Sequence, residues 1–513
     1  MKRFALLLIG LFMSNAVFAQ EGESPISYKS LATQMSTLTS NGDASSAAAT
    51  SVSSFNGFGS YMDNPASMAL SKGSFYSIGW INQSNVQSNG YLGNTNTSNF
   101  SNTAFGNFGV VYKVPTERGS FVLGGGYSLI SKDNNESFLS GFNGNNSITD
   151  VFKQPSSDFN NIALDAYAID FRNETSDEIE SIFRVDTDDP QPRFAGINQF
   201  ANISNRKTIG DISIFASTEI QKNLFIGVSL GVLSGSIKYD RNFEEVDEDN
   251  LYADGAIPED GSNPATDIYS ITLTDNLVTD FYAFTARGGI IYKALPFLNL
   301  GASIVLPSKM IVTESYFANI DTELDDFTAF LDNNFSSEFD YSVTRPAEFK
   351  VGATLKDIGN LSLSASAEYI TYSSAKVDLT INRTLNELSP SEVAFLSDDE
   401  QATNEAIRRD YAAVINFRSN AAYSLENGVK LIAGYSYYPG KNKVNQFDKS
   451  VYSVGLSFPL TNSISADISG QYFSRNDRYL VYEFENDANE VFSNSISQTV
   501  DRLNILAGIK FKF

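Results

Sequence analysis

The chain reads as an all-β protein: a transmembrane antiparallel β-barrel of about 14 strands with an N-terminal hatch in its lumen. Three observations predict this. An export signal opens the chain: Lys2 and Arg3 precede an apolar run from Phe4 to Met13, and Val17-Phe18-Ala19 offers a cleavage site before Gln20. Segment after segment alternates apolar and polar residues with period two, and the last of them ends the chain on an aromatic. There the odd positions Leu503, Ile505, Ala507, Ile509, Phe511 and Phe513 are apolar, and the even positions Asn504, Leu506, Gly508, Lys510 and Lys512 are mostly polar. Short turns also alternate with long connections, the asymmetry of outer-membrane barrels.

The signal peptide occupies residues 1–19. Residues 20–73, the expected hatch, are rich in Ser, Ala, Gly and Thr and include Asn41-Gly42-Asp43-Ala44-Ser45 and Asn64-Pro65-Ala66. Small residues allow tight packing in a confined space, and Phe55, Phe58, Tyr61, Met62 and Leu70 argue against a disordered leader. Residues 74–513 form the expected barrel. Its strand candidates are 74–82, 103–114, 120–131, 208–220, 223–240, 270–293, 297–315, 340–356, 360–382, 411–425, 428–438, 450–459, 464–484 and 499–513. Tight turns are expected at Asp357-Ile358-Gly359-Asn360, Glu426-Asn427-Gly428 and Leu460-Thr461-Asn462-Ser463. Long acidic extracellular loops are expected at 132–207, 241–269, 316–339, 383–410 and 485–498. Within them Ser389-Pro390-Ser391-Glu392 could cap a short helix, with further helical patterns at Glu400 to Tyr411 and Asp177 to Phe183.

Alternation also assigns faces. Tyr282, Phe284, Ile290 and Tyr292 point to lipid and turn Arg287 inward. By the same parity Glu368, Arg418 and Asp467 face the lumen, where opposite charges can pair. A basic residue against lipid at the midplane would cost about 2–4 kcal/mol. These four charges read either as a network holding a plug or as a substrate contact.

Composition narrows the chemistry. There is no Cys, which removes disulfides, thiolate metal sites and lipoprotein anchoring, and no His, the usual general base and commonest metal ligand. The formal charge of −24 argues against nucleic acid as a partner. A mean hydropathy of −0.17 is compatible with barrel strands, since only alternate residues meet lipid. Gly227-Val228-Ser229-Leu230-Gly231 fits a nucleophile-elbow pattern but reads as mid-strand and lacks a His partner. Asp247, Asp249 and Asp254 resemble a calcium loop only loosely, because Leu251 takes a ligand position and Gly255 is misplaced. No enzyme activity, metal or cofactor is expected.

In its order of motifs the chain resembles the FadL-type outer-membrane transport proteins, which include the TodX-like aromatic-hydrocarbon channels. The resemblance runs through Asp43-Ala44-Ser45 and Asn64-Pro65-Ala66, then Phe281 to Tyr292. It continues with Leu298 to Pro307 leading into Thr313-Glu314-Ser315, and with Arg345-Pro346-Ala347-Glu348-Phe349. Arg418 to Tyr423 and Lys430 to Tyr438 complete it. It implies a hatch whose gating involves Asn64, Pro65 and Ala66, and a kinked third strand that opens the wall sideways. The third strand here holds Gly124-Gly125-Gly126, which suits either such a gate or a tight passage beside the hatch.

The expectation is therefore a passive, hatch-gated channel taking up long-chain fatty acids or aromatic hydrocarbons, with lateral exit. It would be a monomer in the outer membrane of a Gram-negative bacterium, touching outer-membrane lipid or lipopolysaccharide. The competing expectation is a non-transport barrel of the same family, structural or secretion-associated, whose loops bind a partner.

Overall fold

The structure is a computed structural model, described over residues 24–36, 42–154, 159–171, 178–183, 194–252, 268–325, 331–381, 389–443, 447–486 and 490–513. The signal segment and the positions of Asp254 and Gly255 lie outside the described residues. Among the described residues no helix is long and apolar enough to cross a membrane.

The wall begins with β1 (Phe75–Tyr91), β2 (Asn94–Val114) and β3 (Phe121–Asn143). A small loop hairpin, β4 (Ile169–Phe171) and β5 (Ile179–Ser181), stands apart. The wall resumes with β6 (Ile197–Gln221), β7 (Leu224–Val246) and β8 (Ile268–Leu295). Three wall strands are each interrupted once. They are β9 (Leu298–Val305) with β10 (Ser308–Leu324), β11 (Leu331–Arg345) with β12 (Glu348–Ile358), and β13 (Leu361–Thr371) with β14 (Lys376–Asp378). The last five are β15 (Ala413–Ser424), β16 (Lys430–Tyr438), β17 (Lys449–Pro459), β18 (Ile464–Glu485) and β19 (Val491–Lys512). The result is a closed antiparallel barrel of 14 strands. β19 closes it on β1, in register from Phe75↔Lys512 to Gly90↔Ser497. No sheet edge is left open along that seam.

Two of the three interruptions, those between β9 and β10 and between β11 and β12, have a chemical cause. Pro307 and Pro346 have no N–H to give to a ladder. They sit on neighbouring strands, with β10 and β11 paired on one side of the break and β9 and β12 on the other.

Each of the 14 strand candidates matches a wall strand, and the strands run farther toward the loop end than expected. β3 continues to Asn143 and β6 begins at Ile197, so the expected loop 132–207 is strand at both ends. β7 runs into 241–269, β10 and β11 fill most of 316–339, and β19 begins at Val491 inside 485–498. The cause is composition: these extensions are rich in Asn, Ser, Asp and Glu on both faces, so alternation fades where lipid ends although the ladder persists. The expected helix at Asp177 to Phe183 is instead β5 over its described part. The two helical patterns near Ser389 and Glu400 fuse into one helix, Pro390–Asp410, capped reciprocally by Ser389 and Glu392.

The outward faces form an apolar belt. Trp80, Phe108, Ile214, Val228, Phe284 and Ile415 are all exposed there, Phe284 at 75 %. Inside, the N-terminal segment fills the bore. It comprises α1 (Tyr28–Ser36), α2 (Ala44–Ala48), α3 (Ser60–Asp63) and a 3₁₀ turn, Pro65–Leu70. α1 packs against β11 and β14 at the loop end, α2 against β17 and β18, and the 3₁₀ turn against β6, β7 and β8. From the loop after β3, α4 (Thr149–Phe152) and α5 (Phe159–Asp165) turn into the mouth.

Candidate functional site

The loop-end half of the lumen is apolar. Inward positions supply Leu233 and Ile237 from β7, Phe281 and Ala283 from β8, Met310 and Val312 from β10, and Tyr341 and Val343 from β11. Phe152 and Phe159 of the loop helices close over them, and Tyr28, Leu31 and Met35 of α1 fill the middle. Tyr28 meets Tyr341 edge-on, ring centroids 5.0 Å apart. Few polar groups enter here: Arg241 holds Asp275 through two nitrogens, at 2.7 and 3.1 Å, and Glu314 accepts through Oε1 from the Tyr341 hydroxyl at 2.6 Å, its Oε2 having no partner among the described residues.

Below this chamber lies a charged floor with a cavity of about 100 Å³, lined in part by Met62, Asp63, Arg287, Lys350, Glu368 and Arg418. Arg418 Nη1 donates to Asp63 of the hatch at 2.9 Å, and its Nη2 lies 3.4 Å from Glu368. Lys350 bridges Glu368 at 2.9 Å and Glu348 at 3.2 Å. Arg345 donates to Glu348 at 2.6 Å, and Arg287 to Asp211 at 2.7 Å. The set balances, with Arg287, Arg345, Lys350 and Arg418 against Asp63, Asp211, Glu348 and Glu368. Buried charge is tolerable only with such pairing.

The parity rule places all four sequence-derived charges in the lumen. It brings Glu368 and Arg418 into direct contact, with Arg287 on the same cavity. Asp467 lies apart, paired with Lys510 at 3.1 Å. Asp63, Asp211, Arg345, Glu348 and Lys350 were missed as lumenal charges. The same parity, applied to Asp211 within the apolar run of β6 and to Lys350 within β12, would have found two of them.

Asn64, Pro65 and Ala66 lie against the wall. The Asn64 amide donates to Val52 O at 2.7 Å within the hatch, to Ile290 O at 3.1 Å on β8 and to Ala302 O at 3.3 Å on β9. Its carbonyl accepts from Ala66 N at 2.9 Å and caps the 3₁₀ turn. A Cβ on Gly289 would stand 1.9 Å from Asn64 Oδ1, and one on Gly227 2.4 Å from Ala66 N. The Gly-x-Ser-x-Gly pattern is thus mid-strand in β7, and its first glycine makes room for the hatch.

The third strand bends. β2 and β3 pair only from Val114↔Phe121 to Asn107↔Ser128. Beyond that, Asn94 to Gly106 of β2 pairs with β1 alone and Leu129 to Asn143 of β3 with β6 alone. Gly124, Gly125 and Gly126 lie just on the paired side of this break. Gly126 has φ +156°, and a Cβ there would come within 2.1 Å of Phe108 O. At the break a bulge turns two successive residues, Leu129 and Ile130, into the interior. Ile130 belongs to the apolar chamber, and Leu129 packs with Ile81, Ala44, Ala104 and Tyr127 at the seam. Gly42 of the N-terminal segment sits at this break: its N–H donates to Leu129 O at 3.0 Å, and it lies against Gly106 of β2.

No protein-family model matches the chain, and no curated protein matches it by sequence. Solved structures do. The toluene transporter TodX of P. putida aligns at 12% identity and TM-score 0.52, covering 92% of this chain and 98% of its own. A FadL homologue of Pseudomonas aeruginosa aligns at 11% identity and TM-score 0.51, covering 93% and 99%. The chain has the FadL/TodX transporter fold. At these identities the likeness is one of fold alone.

Proposed function

We propose that this chain is an outer-membrane channel that takes up hydrophobic small molecules by passive diffusion. The carrying observation is an apolar loop-end chamber that includes Ile130 and is followed, at the next residue Leu129, by a second apolar cluster beside the stretch of β2 that leaves the β3 ladder. Solved proteins of this fold include a toluene transporter and a FadL homologue, which supports the reading. The signal segment 1–19 would be cleaved on export, leaving residues 20–73 as the hatch domain within the barrel of residues 74–513.

The mechanism follows from the geometry. A ligand enters through the loop end and sheds water into the chamber, with burial of apolar surface contributing about 25 cal/mol per Å². The charged floor blocks straight descent, because an apolar solute there would separate paired buried charges. Sideways, among the described residues, Gly42 and side-chain bridges to β3 from Gln83 and Asn85 of β1 and from Asn94 and Ser98 of β2 stand between the chamber and lipid. Asn64-Pro65-Ala66 serves as the fixed pivot and Gly42 as the moving end. Gly124-Gly125-Gly126 lets β3 turn away from β2. Arg287, Glu368 and Arg418 hold the floor, and Asp467 pairs near the turn end.

The test is transfer of labelled toluene or oleate into lipid vesicles carrying the purified protein. Transfer above that of protein-free vesicles is expected. No enhancement for either probe would contradict a channel. A partner-binding barrel would call for a polar, blocked lumen, and the apolar chamber disfavours it.

A further inference from the structure

The apolar chamber holds a carboxylate that the path above does not use. Glu314 of β10 is 1 % exposed and faces inward between Val312 and Tyr316. In the ladders it stands opposite Thr279 of β8 and Phe339 of β11. Its Oε1 accepts from the Tyr341 hydroxyl at 2.6 Å and from the Thr279 hydroxyl at 3.1 Å. Its Oε2 is buried and accepts from no group among the described residues. A carboxylate oxygen left without a donor in such surroundings is costly.

Aromatic rings stand beside it. Tyr28 of α1 lies 5.0 Å from Tyr341 and 6.3 Å from Phe339, and Phe339 lies 6.0 Å from Tyr341, centroid to centroid. Tyr316, two residues along β10, adds a fourth ring. A second acid overlooks the same space. Asp399 is buried under the helix Pro390–Asp410, whose Leu396 and Ile407 belong to the chamber, and its Oδ2 also lacks a partner among the described residues. Among those residues no basic side chain lies within 4 Å of Glu314 or Asp399. Arg241 and Lys29, the cations at this end of the bore, are already held by Asp275 and Asp410.

We propose that Glu314, with Tyr28, Tyr316, Phe339 and Tyr341, forms a subsite for the ammonium end of a hydrophobic amine. The proposal rests on the channel reading and extends its ligands from neutral hydrocarbons to amines. The free carboxylate oxygen takes an N–H of the ammonium in a charge-assisted hydrogen bond, and the faces of the rings attract its charge. The apolar lining of the chamber receives the tail. Asp399 adds negative charge on the loop side, where the ligand enters.

The test is calorimetric binding of decylammonium and of decanol to the purified full-length mature protein in a non-ionic detergent, at about pH 8, where an alkylamine is still protonated. Wild type should bind decylammonium about tenfold or more tightly than decanol. Glu314→Gln keeps an acceptor for Tyr341 and removes the charge; it should cost decylammonium about fivefold or more while decanol changes less than about twofold. Phe339→Leu, which removes a ring and no charge, should cost decylammonium about threefold. The acidic chain attracts any cation, so the exposed loop residue Glu248 supplies the control: Glu248→Gln should leave decylammonium unchanged. Heat-modifiable gel mobility shows that each variant is folded. Equal affinity for the two ligands, a folded Glu314→Gln or Phe339→Leu that binds decylammonium as wild type does, or an equal loss in Glu248→Gln would each overturn the subsite. Decanol bound without a preference for decylammonium would leave the channel standing; binding of neither ligand would overturn both.

Discussion

At the scale of single residues, the account rests on buried charges that stay paired and on a few positions where backbone meets backbone. Arg418 is the sharpest case, since it joins the wall to the hatch through Asp63 and to Glu368. Arg418→Met leaves Asp63 buried without its ion-pair partner. It should destabilise the barrel by about 3–5 kcal/mol, the usual cost of breaking a buried pair from one side. Urea unfolding followed by the fluorescence of Trp80, the single tryptophan, would show this as a lower midpoint. An unchanged midpoint would mean the pair does not anchor the hatch. Gly126 is the second case. Its φ of +156° and the nearness of Phe108 O leave no place for a side chain. Gly126→Ala should cost about 1–3 kcal/mol by the same assay, the scale of backbone strain at such positions. Parity placed Arg287, Glu368, Arg418 and Asp467 inside from the sequence. Asp211 and Lys350, partners of Arg287 and Glu368, lay within reach of the same rule, but Asp63 did not, because its contact with Arg418 depends on how the N-terminal segment threads the bore.

At the scale of elements, the helix Pro390–Asp410 over the loop end carries a test of its own. Asp399 points inward and Oδ2 has no partner among the described residues. Burial lifts its carboxyl from the ordinary 3.8 to about 7. A carboxyl raised in the folded state favours folding while protonated. The stability it contributes is therefore complete below pH 3.8 and is lost as pH rises through about 7. Hydrogen exchange of this helix should quicken across that window more than intrinsic chemistry requires, and Asp399→Asn should remove the excess. An unaltered profile in the variant would assign the pH dependence elsewhere. The Ser389–Glu392 capping box and all 14 wall strands were legible in the sequence, because caps and lipid-facing alternation are local patterns. The loop-end extensions of the strands were not. Beyond the bilayer neither face of a strand such as Asn94 to Thr103 must be apolar, so the period-two signal vanishes while hydrogen bonding goes on. The bend in β3 was only half legible. The three glycines marked the strand, but the break itself begins at Ser128, where the partner changes rather than the composition.

At the scale of the whole molecule, the barrel presents one apolar belt outward and a filled bore inward. Trp80 stands in that belt, 42 % exposed and edge-on to Phe105. In vesicles its fluorescence should fall strongly when the lipid tails are brominated and little when a water-soluble quencher is added. The reverse pattern would place β1 away from lipid and undo the membrane topology. The central claim is that a hydrophobic ligand leaves through the seam between β2 and β3. The chain has no cysteine of its own, so Ala104, on the lumen side of that seam, can be changed to Cys and labelled alone. The decisive measurement is the transfer of toluene or oleate into vesicles by Ala104→Cys before and after coupling a bulky maleimide. The account predicts near-wild-type transfer before coupling and loss of most of it afterwards; transfer that continues unabated with the seam filled would contradict it.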